Sequence, residues 1–410
     1  MKITKLMLSA LAAAAVLVSC NKEDLDPSVK GTGVKSVEIS LENIVMTKGD
    51  AGTPIRPDAQ GNMPAVKVKN FKVFLTNETY SETFAAYDAT GQTAAQMYWS
   101  AEDFAEGPLT AKFHYVDSKC TRVFAVANVG DATLQQVLDM EKAIADQQKQ
   151  DELVLVANSS LARAVDDPAT DGVDESVHAS NDGKYNELYT ASLTLTPAIS
   201  RFEIDGFNVA FSETPKFEQI QVTDVAFDHY WPTMSLDVHN GVFGAVPTGE
   251  HVKYITNPAD DSEVYQWFNE HAALDRWYKD SFTDLVMTPD DPATDAKENI
   301  KDVPSPRAYH FYSGAIVPTM FVKLLADGDP AYVWTNIYKR GDGTVIDRIE
   351  PGKIYRMSAA GVASGTGSVV IPDDLDPVQR CIDVTVDVID WAVVLITPDF
   401  TGGSTQQLSE

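Results

Sequence analysis

Polar and apolar residues alternate strictly in two places, one near each end of the chain. In Ser36-Val37-Glu38-Ile39-Ser40-Leu41-Glu42 the odd positions are apolar, so Val37, Ile39 and Leu41 share one face of a half-buried strand. In Cys381-Ile382-Asp383-Val384-Thr385-Val386-Asp387-Val388 the even positions are apolar. After Ile389-Asp390 the large apolar residues Trp391, Val393 and Leu395 fall on odd positions instead. Side chains alternate strictly along a strand, so a one-residue change of face marks a bulge. Fully extended, residues 381–396 reach about 50 Å, which exceeds the ~40 Å breadth of a domain of this size. Burying Ile382, Val384, Val386 and Val388 contributes about 6–12 kcal/mol before entropy. The run reads either as the closing strand of its own domain or as a strand donated to a neighbour.

Between these ends the pattern predicts further strands over 66–75, 121–129 and 153–156. A helix is predicted over 131–148, with Leu134, Val137, Leu138 and Ile144 at helical spacing and Asp131 as its N-cap. Residues 47–64 are rich in Gly, Pro and Asp and predict no regular element. A polar, acidic stretch covers 164–184, and the run Leu193 to Ile204 then opens a new set of strands, which puts a domain boundary near residue 190. A second helical patch is predicted over 264–278, and a second acidic loop over 280–302. The two acidic stretches share the hexapeptide Asp-Asp-Pro-Ala-Thr-Asp at 166–171 and 290–295. Many short strands with a few helices point to a mainly β chain of two sandwich domains, not to a βαβ sheet.

The front of the chain reads as an export address. Lys2 and Lys5 precede an apolar run over 6–18, too short for a transmembrane helix. Leu17-Val18-Ser19-Cys20 resembles a bacterial lipobox, in which Cys20 is lipidated and becomes the first mature residue; each buried methylene contributes roughly 0.8 kcal/mol of membrane attachment. Residues 21–35 read as a tether. The Val37–Leu41 strand therefore lies between a membrane anchor and a loop containing Lys48 and Arg56. A cut there detaches the lipid and removes the tether that gives the strand its millimolar effective concentration. The emptied groove then exposes unpaired backbone and apolar surface, a template for strand addition. Lys48-Gly49 is the preferred bond; Arg56 is followed by Pro57, which trypsin-like enzymes cut poorly, and is the fallback.

Composition narrows the function further. The 410 residues include 60 acidic and 32 basic ones, a formal charge of −28, and such a surface repels nucleic acid. Three cysteines exclude a disulfide-rich scaffold. Beyond Cys20 only Cys120 and Cys381 remain, expected as buried thiols. The seven histidines form neither a two-His helical pair nor a Cys-His cluster. Gly361-Val362-Ala363-Ser364-Gly365 has its serine one place late for a nucleophile elbow. Gly365-Thr366-Gly367 lacks the third glycine of a phosphate cradle, and the acidic loops lack calcium-loop spacing. No cofactor, no metal and no enzymatic activity are expected. Tyr230-Trp231, Trp267-Phe268 and Trp277-Tyr278 could stack on sugars, but Val264, Trp267, Phe268, Leu274 and Tyr278 at helical spacing fit core packing better.

Four features together resemble the fimbrillins, lipoprotein precursors of type V pili. They are the lipobox at Cys20, the strand ahead of a basic cleavage loop, the stretch Leu195-Thr196-Pro197-Ala198-Ile199-Ser200-Arg201-Phe202-Glu203-Ile204, and the C-terminal run ending in Trp391-Ala392-Val393-Val394. Glu350-Pro351-Gly352-Lys353-Ile354-Tyr355 also looks like that family's Gly-x-x-Tyr approach to its closing hairpin. The resemblance implies two transthyretin-like β-sandwich domains, here 49–190 and 191–410, preceded by a signal peptide (1–19) and a removable segment (20–48). It also implies an outer-membrane lipoprotein precursor, a trypsin-like surface protease that removes Val37, Ile39 and Leu41 with their strand, and other pilus subunits as partners. The groove is then filled by the C-terminal strand of another copy, through Ile382, Val384, Val386, Val388, Trp391, Val393 and Leu395. The family is often cut after arginine, from which Arg56-Pro57 departs. Two alternatives are a surface lipoprotein that binds glycan through exposed aromatics, and a pilus anchor or tip subunit that is not trimmed.

Overall fold

In the computed structural model the chain is mainly β, with several sheets and few helices. The structure describes residues 34–397 except 43, 49–64, 85–86, 89–97, 101–109, 148–151, 165–186, 240–241, 259, 271–277, 292, 294–296, 358–367, 376–381 and 391.

The first half packs two five-stranded sheets face to face. One runs Ala162–Arg163, Glu187–Thr194, Val34–Glu42, Thr110–Asp117, Tyr87–Asp88; the other runs Thr196–Pro197, Leu155–Ser160, Arg122–Ala127, Asn70–Thr76, Tyr98–Ser100. Alternation sends Phe71, Val73 and Leu75 of one sheet into the core, and Phe113 and Val116 of the other join them from either side of a register shift in the Thr110–Asp117 strand. Trp99 ties the layers together, stacking on Phe71 at 4.8 Å and meeting Phe113 edge-on at 6.3 Å. The boundary expected near residue 190 falls inside the Glu187–Thr194 strand of the first sheet.

In the second half the 12-residue strand Ile199–Ala210 is the spine of an eight-stranded sheet. Ile300–Tyr312 lies antiparallel on one edge. On the other, Lys353–Met357 and Ser368–Pro372 run parallel to its successive halves. A four-stranded sheet of Lys279–Met287, Ile220–Asp228, Thr319–Ala326 and Asp329–Thr335 carries the helix Asp261–Glu270, whose Val264, Trp267 and Phe268 are buried with Phe321 and Tyr332. Gly352 sits at φ +70°, and a Cβ there would meet Thr196 Cγ2 at 2.5 Å; Tyr355, three residues on, stacks on Phe202 at 4.9 Å. Only glycine fits both the backbone conformation and the close approach.

Three expectations need correction. The helix predicted over 131–148 divides into a short α-helix, Leu134–Leu138, and a 3-10 turn, Ile144–Asp146; the α-helix has Thr133 as its N-cap, which forms a capping box with Gln136. Glu141–Ala143 instead forms a strand beside the hairpin Thr233–His239/Val242–Thr248 of the second half. A tertiary edge needing a partner outweighs helical spacing there. The helix predicted over 264–278 is described as Asp261–Glu270, residues 271–277 lie outside the described residues, and Tyr278, just ahead of the strand Lys279–Met287, stacks on Tyr230 at 4.1 Å. Lastly, strands occupy both ends of the supposed loop 280–302, and Asp280 is buried, accepting from Tyr309 Oη at 2.8 Å.

The halves are joined by a buried polar network. Arg201 Nε donates to Glu203 Oε1 at 2.6 Å, and Arg356 Nη2 approaches Glu203 Oε2 at 2.8 Å. Arg201 Nη1 donates to His310 Nε2 at 3.2 Å, while Nδ1 of the same ring lies 2.8 Å from the Gln147 carbonyl of the first half. Arginine only donates, so Nε2 is the acceptor and Nδ1 carries the proton. Burial, and then the Arg201 charge, push His310 down to about 3, which keeps the ring neutral.

Candidate functional site

The strand Val34–Glu42 is the middle strand of its five-stranded sheet. It runs parallel to Glu187–Thr194, in register from Lys35↔Glu187 to Glu42↔Thr194, and antiparallel to Thr110–Asp117. Backbone pairs on both sides and apolar side chains on one face hold it. Val37, Ile39 and Leu41 are 0%, 2% and 9% exposed. Their burial alone contributes roughly 4–9 kcal/mol before entropy. Polar contacts set its position along the slot. Lys35 Nζ donates to the Cys120 carbonyl at 2.8 Å and sits 4.4 Å over the Tyr189 ring. Ser36 is fully buried, Glu38 faces Lys112 at 3.3 Å, and the Ser40 and Ser192 hydroxyls are 3.1 Å apart. Cys120 is a buried free thiol pushed up to about 11 by desolvation, which suppresses its thiolate.

The C-terminal run is divided among three settings. Ile382, Val384 and Val386 are 2%, 1% and 1% exposed within the second half's own sheet, and Val388 is half-buried. Asp383–Thr385 lies between Ser368–Pro372 and the short strand Tyr338–Lys339. Asp387–Asp390 moves to Lys353–Met357, where Lys353 Nζ meets Asp390 Oδ1 at 2.5 Å. The change of face after Asp390 is more than a bulge. Ala392–Thr397 leaves that sheet and becomes the middle strand of a parallel three-stranded one, between Ile44–Lys48 and Ala65–Val68.

Of the expected cleavage positions, Lys48 ends the edge strand Ile44–Lys48, paired with Thr397, so it lies in a strand and not in the loop anticipated from its composition. Cys20, Arg56 and Trp391 lie outside the described residues, as does Cys381. Val393 and Leu395 pair through their backbones with Ile44, Ala65-side residue Val66, Met46 and Val68. Sequence reasoning missed the other wall of the slot, Tyr189 and Ser192 on Glu187–Thr194, because parallel pairing across some 150 residues leaves no local signal. Among the described residues no cluster of three metal-ligating side chains occurs, and no helix is long and apolar enough to cross a membrane. The geometry is that of a strand held in a slot.

No protein-family model matches the chain, and a search of characterised proteins finds no match. Solved structures do resemble it. A protein assigned to cell adhesion from Parabacteroides distasonis ATCC 8503 aligns at 13% identity and TM-score 0.49, over 88% of this chain and 98% of that one. A fimbrilin from Porphyromonas gingivalis W83 aligns at 10% identity and TM-score 0.42, over 88% and 99%. The tip fimbrial protein Mfa3 of Porphyromonas gingivalis aligns at 10% identity and TM-score 0.37, over 87% and 100%. The solved structures that this chain resembles are thus fimbrial proteins and proteins assigned to cell adhesion.

Proposed function

We propose that the chain is a structural subunit of a cell-surface pilus, exported as a lipoprotein, trimmed by a trypsin-like protease and polymerised by donor-strand exchange. The observation that carries this reading is the setting of Val34–Glu42. A strand between a lipobox and a basic residue is the middle strand of a sheet, bonded on both sides and buried on one face. Losing an edge strand would leave a sheet merely narrower. Losing this one opens a slot between Thr110–Asp117 and Glu187–Thr194, with unpaired backbone on both walls and an apolar floor. The alternating C-terminal run supplies a strand of the right character to fill it.

In this reading Cys20 carries the lipid that holds the precursor at the outer membrane. Lys48 marks the preferred cut, with Arg56 behind it. Cleavage after Lys35 is disfavoured, since that residue sits inside the slot with its ammonium engaged. The end product is a cell-surface fimbrium of many copies that supports adhesion, built from transthyretin-like domains and acting without enzymatic chemistry. The glycan-binding alternative is weaker, because Tyr230, Trp267, Phe268 and Tyr278 are buried.

The test is the intact mass of the native protein shed from cells. A chain beginning at Gly49 or Pro57 is expected. A chain beginning at Cys20 with its acyl groups sinks the trimmed-subunit reading and leaves an untrimmed anchor or a lipoprotein of another function.

A further inference from the structure

The two alternating runs share more than a pattern. Set against Val37-Glu38-Ile39-Ser40-Leu41-Glu42, the segment Ile382-Asp383-Val384-Thr385-Val386-Asp387 is conservative at every position: aliphatic on aliphatic, carboxylate on carboxylate, hydroxyl on hydroxyl. The match extends upstream, where Arg380 and Cys381 stand against Lys35 and Ser36. We propose that residues 382–387 of a second copy occupy the slot in the register and direction of residues 37–42, so that the C-terminal run is a residue-by-residue replacement for the strand that trimming removes. The inference rests on the pilus-subunit reading and specifies its partner surface.

Alternation alone does not fix this arrangement. A slip of two residues, or a reversed strand, also keeps apolar side chains on the inner face. The slot's polar contacts discriminate. A cation is wanted at position 35, where Lys35 Nζ meets the Cys120 carbonyl and the Tyr189 ring. The proposed register supplies Arg380 there. Reversal brings Asp390, whose carboxylate would face a carbonyl oxygen, and a forward slip of two brings Ile382. Position 36 is fully buried and holds a serine. Cysteine is close to it in size, whereas the Ile389 of a reversed strand overfills it. Asp383 in place of Glu38 keeps the Lys112 partner, and Thr385 in place of Ser40 keeps the Ser192 hydroxyl within reach.

The segment's home seat makes exchange feasible. There its pairing is divided among Ser368–Pro372, Tyr338–Lys339 and Lys353–Met357. The slot instead offers one unbroken parallel neighbour from Glu187 to Thr194. Similar apolar burial in both seats leaves the exchange to be decided by which slot is empty.

Disulfide trapping tests the register. Full chains carrying Thr190→Cys are mixed with full chains carrying Asp383→Cys, Thr385→Cys or Asp387→Cys, all in a Cys381→Ser background, and nicked with a lysine-specific protease. Glu38 and Thr190 are in register, so the un-nicked Glu38→Cys/Thr190→Cys chain should close internally and verifies the acceptor position. The Asp383→Cys chain is expected to link to position 190 roughly tenfold more than the other two, because diagonal neighbours stand about 7–8 Å away. Preferential linking of Thr385→Cys shows a slip, and of Asp387→Cys a reversed strand; either overturns the proposal while the pilus reading stands. Filaments by electron microscopy with no link at any position overturn it too. If nicked chains give neither links nor filaments, the pilus reading falls with it.

Discussion

The first strand and the start of the C-terminal run match in residue type and hold very different seats. Residues 35–42 lie in one slot, paired without a break along Glu187–Thr194 and, with one register shift between Lys35 and Val37, along Thr110–Asp117 as far as Ser40. Residues 382–397 are passed among short partners, one stretch between two strands, the next on a single strand, the last in a separate sheet. A strand's hold therefore depends on the continuity of its neighbours more than on its own composition. The better-seated copy lies ahead of the expected cut, and the copy with the looser seat remains with the chain.

Substitution should expose that difference most sharply. Ile39→Asp puts an unpaired carboxylate in a fully occupied slot and should lower stability by about 4 kcal/mol or more. Val388→Asp, on a half-buried edge position, should cost about 1–2 kcal/mol. Urea unfolding of the full chain measures both, and equal losses would erase the distinction between the seats.

Acid should loosen the second seat before the first. His310 is neutral in the fold at about 3, against 6.5 when exposed, so the unfolded chain binds its proton first as pH falls. The stability it contributes is complete above pH 6.5 and is lost progressively down to about pH 3, amounting to roughly 2 kcal/mol at pH 5. The ring bonds to Arg201, and Glu203 links that residue to Arg356 on the strand that seats Asp387–Asp390. Protection against hydrogen exchange, taken relative to the intrinsic amide rate at each pH, should accordingly fall more in 387–390 than in 34–42 between pH 7 and pH 5; a flat comparison would show the network to be uncoupled from that seat.

Smaller effects sharpen the same contrast. Gly352→Ala collides with Thr196 and strains a left-handed residue at the head of the seating strand. It should cost about 1–3 kcal/mol, readable as a lower thermal midpoint, with Gly343→Ala, which meets no atom within 4 Å, as a conformational control. Lys112→Ala removes the cation facing Glu38 on the exposed side of the slot and should cost only about 0.2–1 kcal/mol by urea titration. A larger loss would mean that this pair, and not the apolar face, holds the first strand.

Much of the secondary structure was legible from local pattern. Val37, Ile39 and Leu41 announce a strand because their alternation is a property of consecutive residues, as do Phe71, Val73 and Leu75, while the continuous apolar run around Val123 announces a strand buried on both faces. The short helix was legible in its apolar positions Leu134 and Val137, but its start lies at the Thr133 cap and not at Asp131, and its end was not legible. Glu141–Ala143 is drawn into a strand by the hairpin edge at Thr233–Ser235, about 90 residues away. Lys48 looked like loop because glycine and proline follow it, yet Thr397 supplies it with a strand partner.

By itself the sequence determined which residues turn inward, since period-two alternation needs no knowledge of neighbours. It also determined that the two ends are alike in residue type, position by position. Only the tertiary structure decided that Val34–Glu42 is a middle strand, that Glu187–Thr194 is its parallel wall, and that the C-terminal run is divided among partners. Those facts depend on which distant segments fold against each other, and hydrogen bonds between strands leave no mark on the residues that make them.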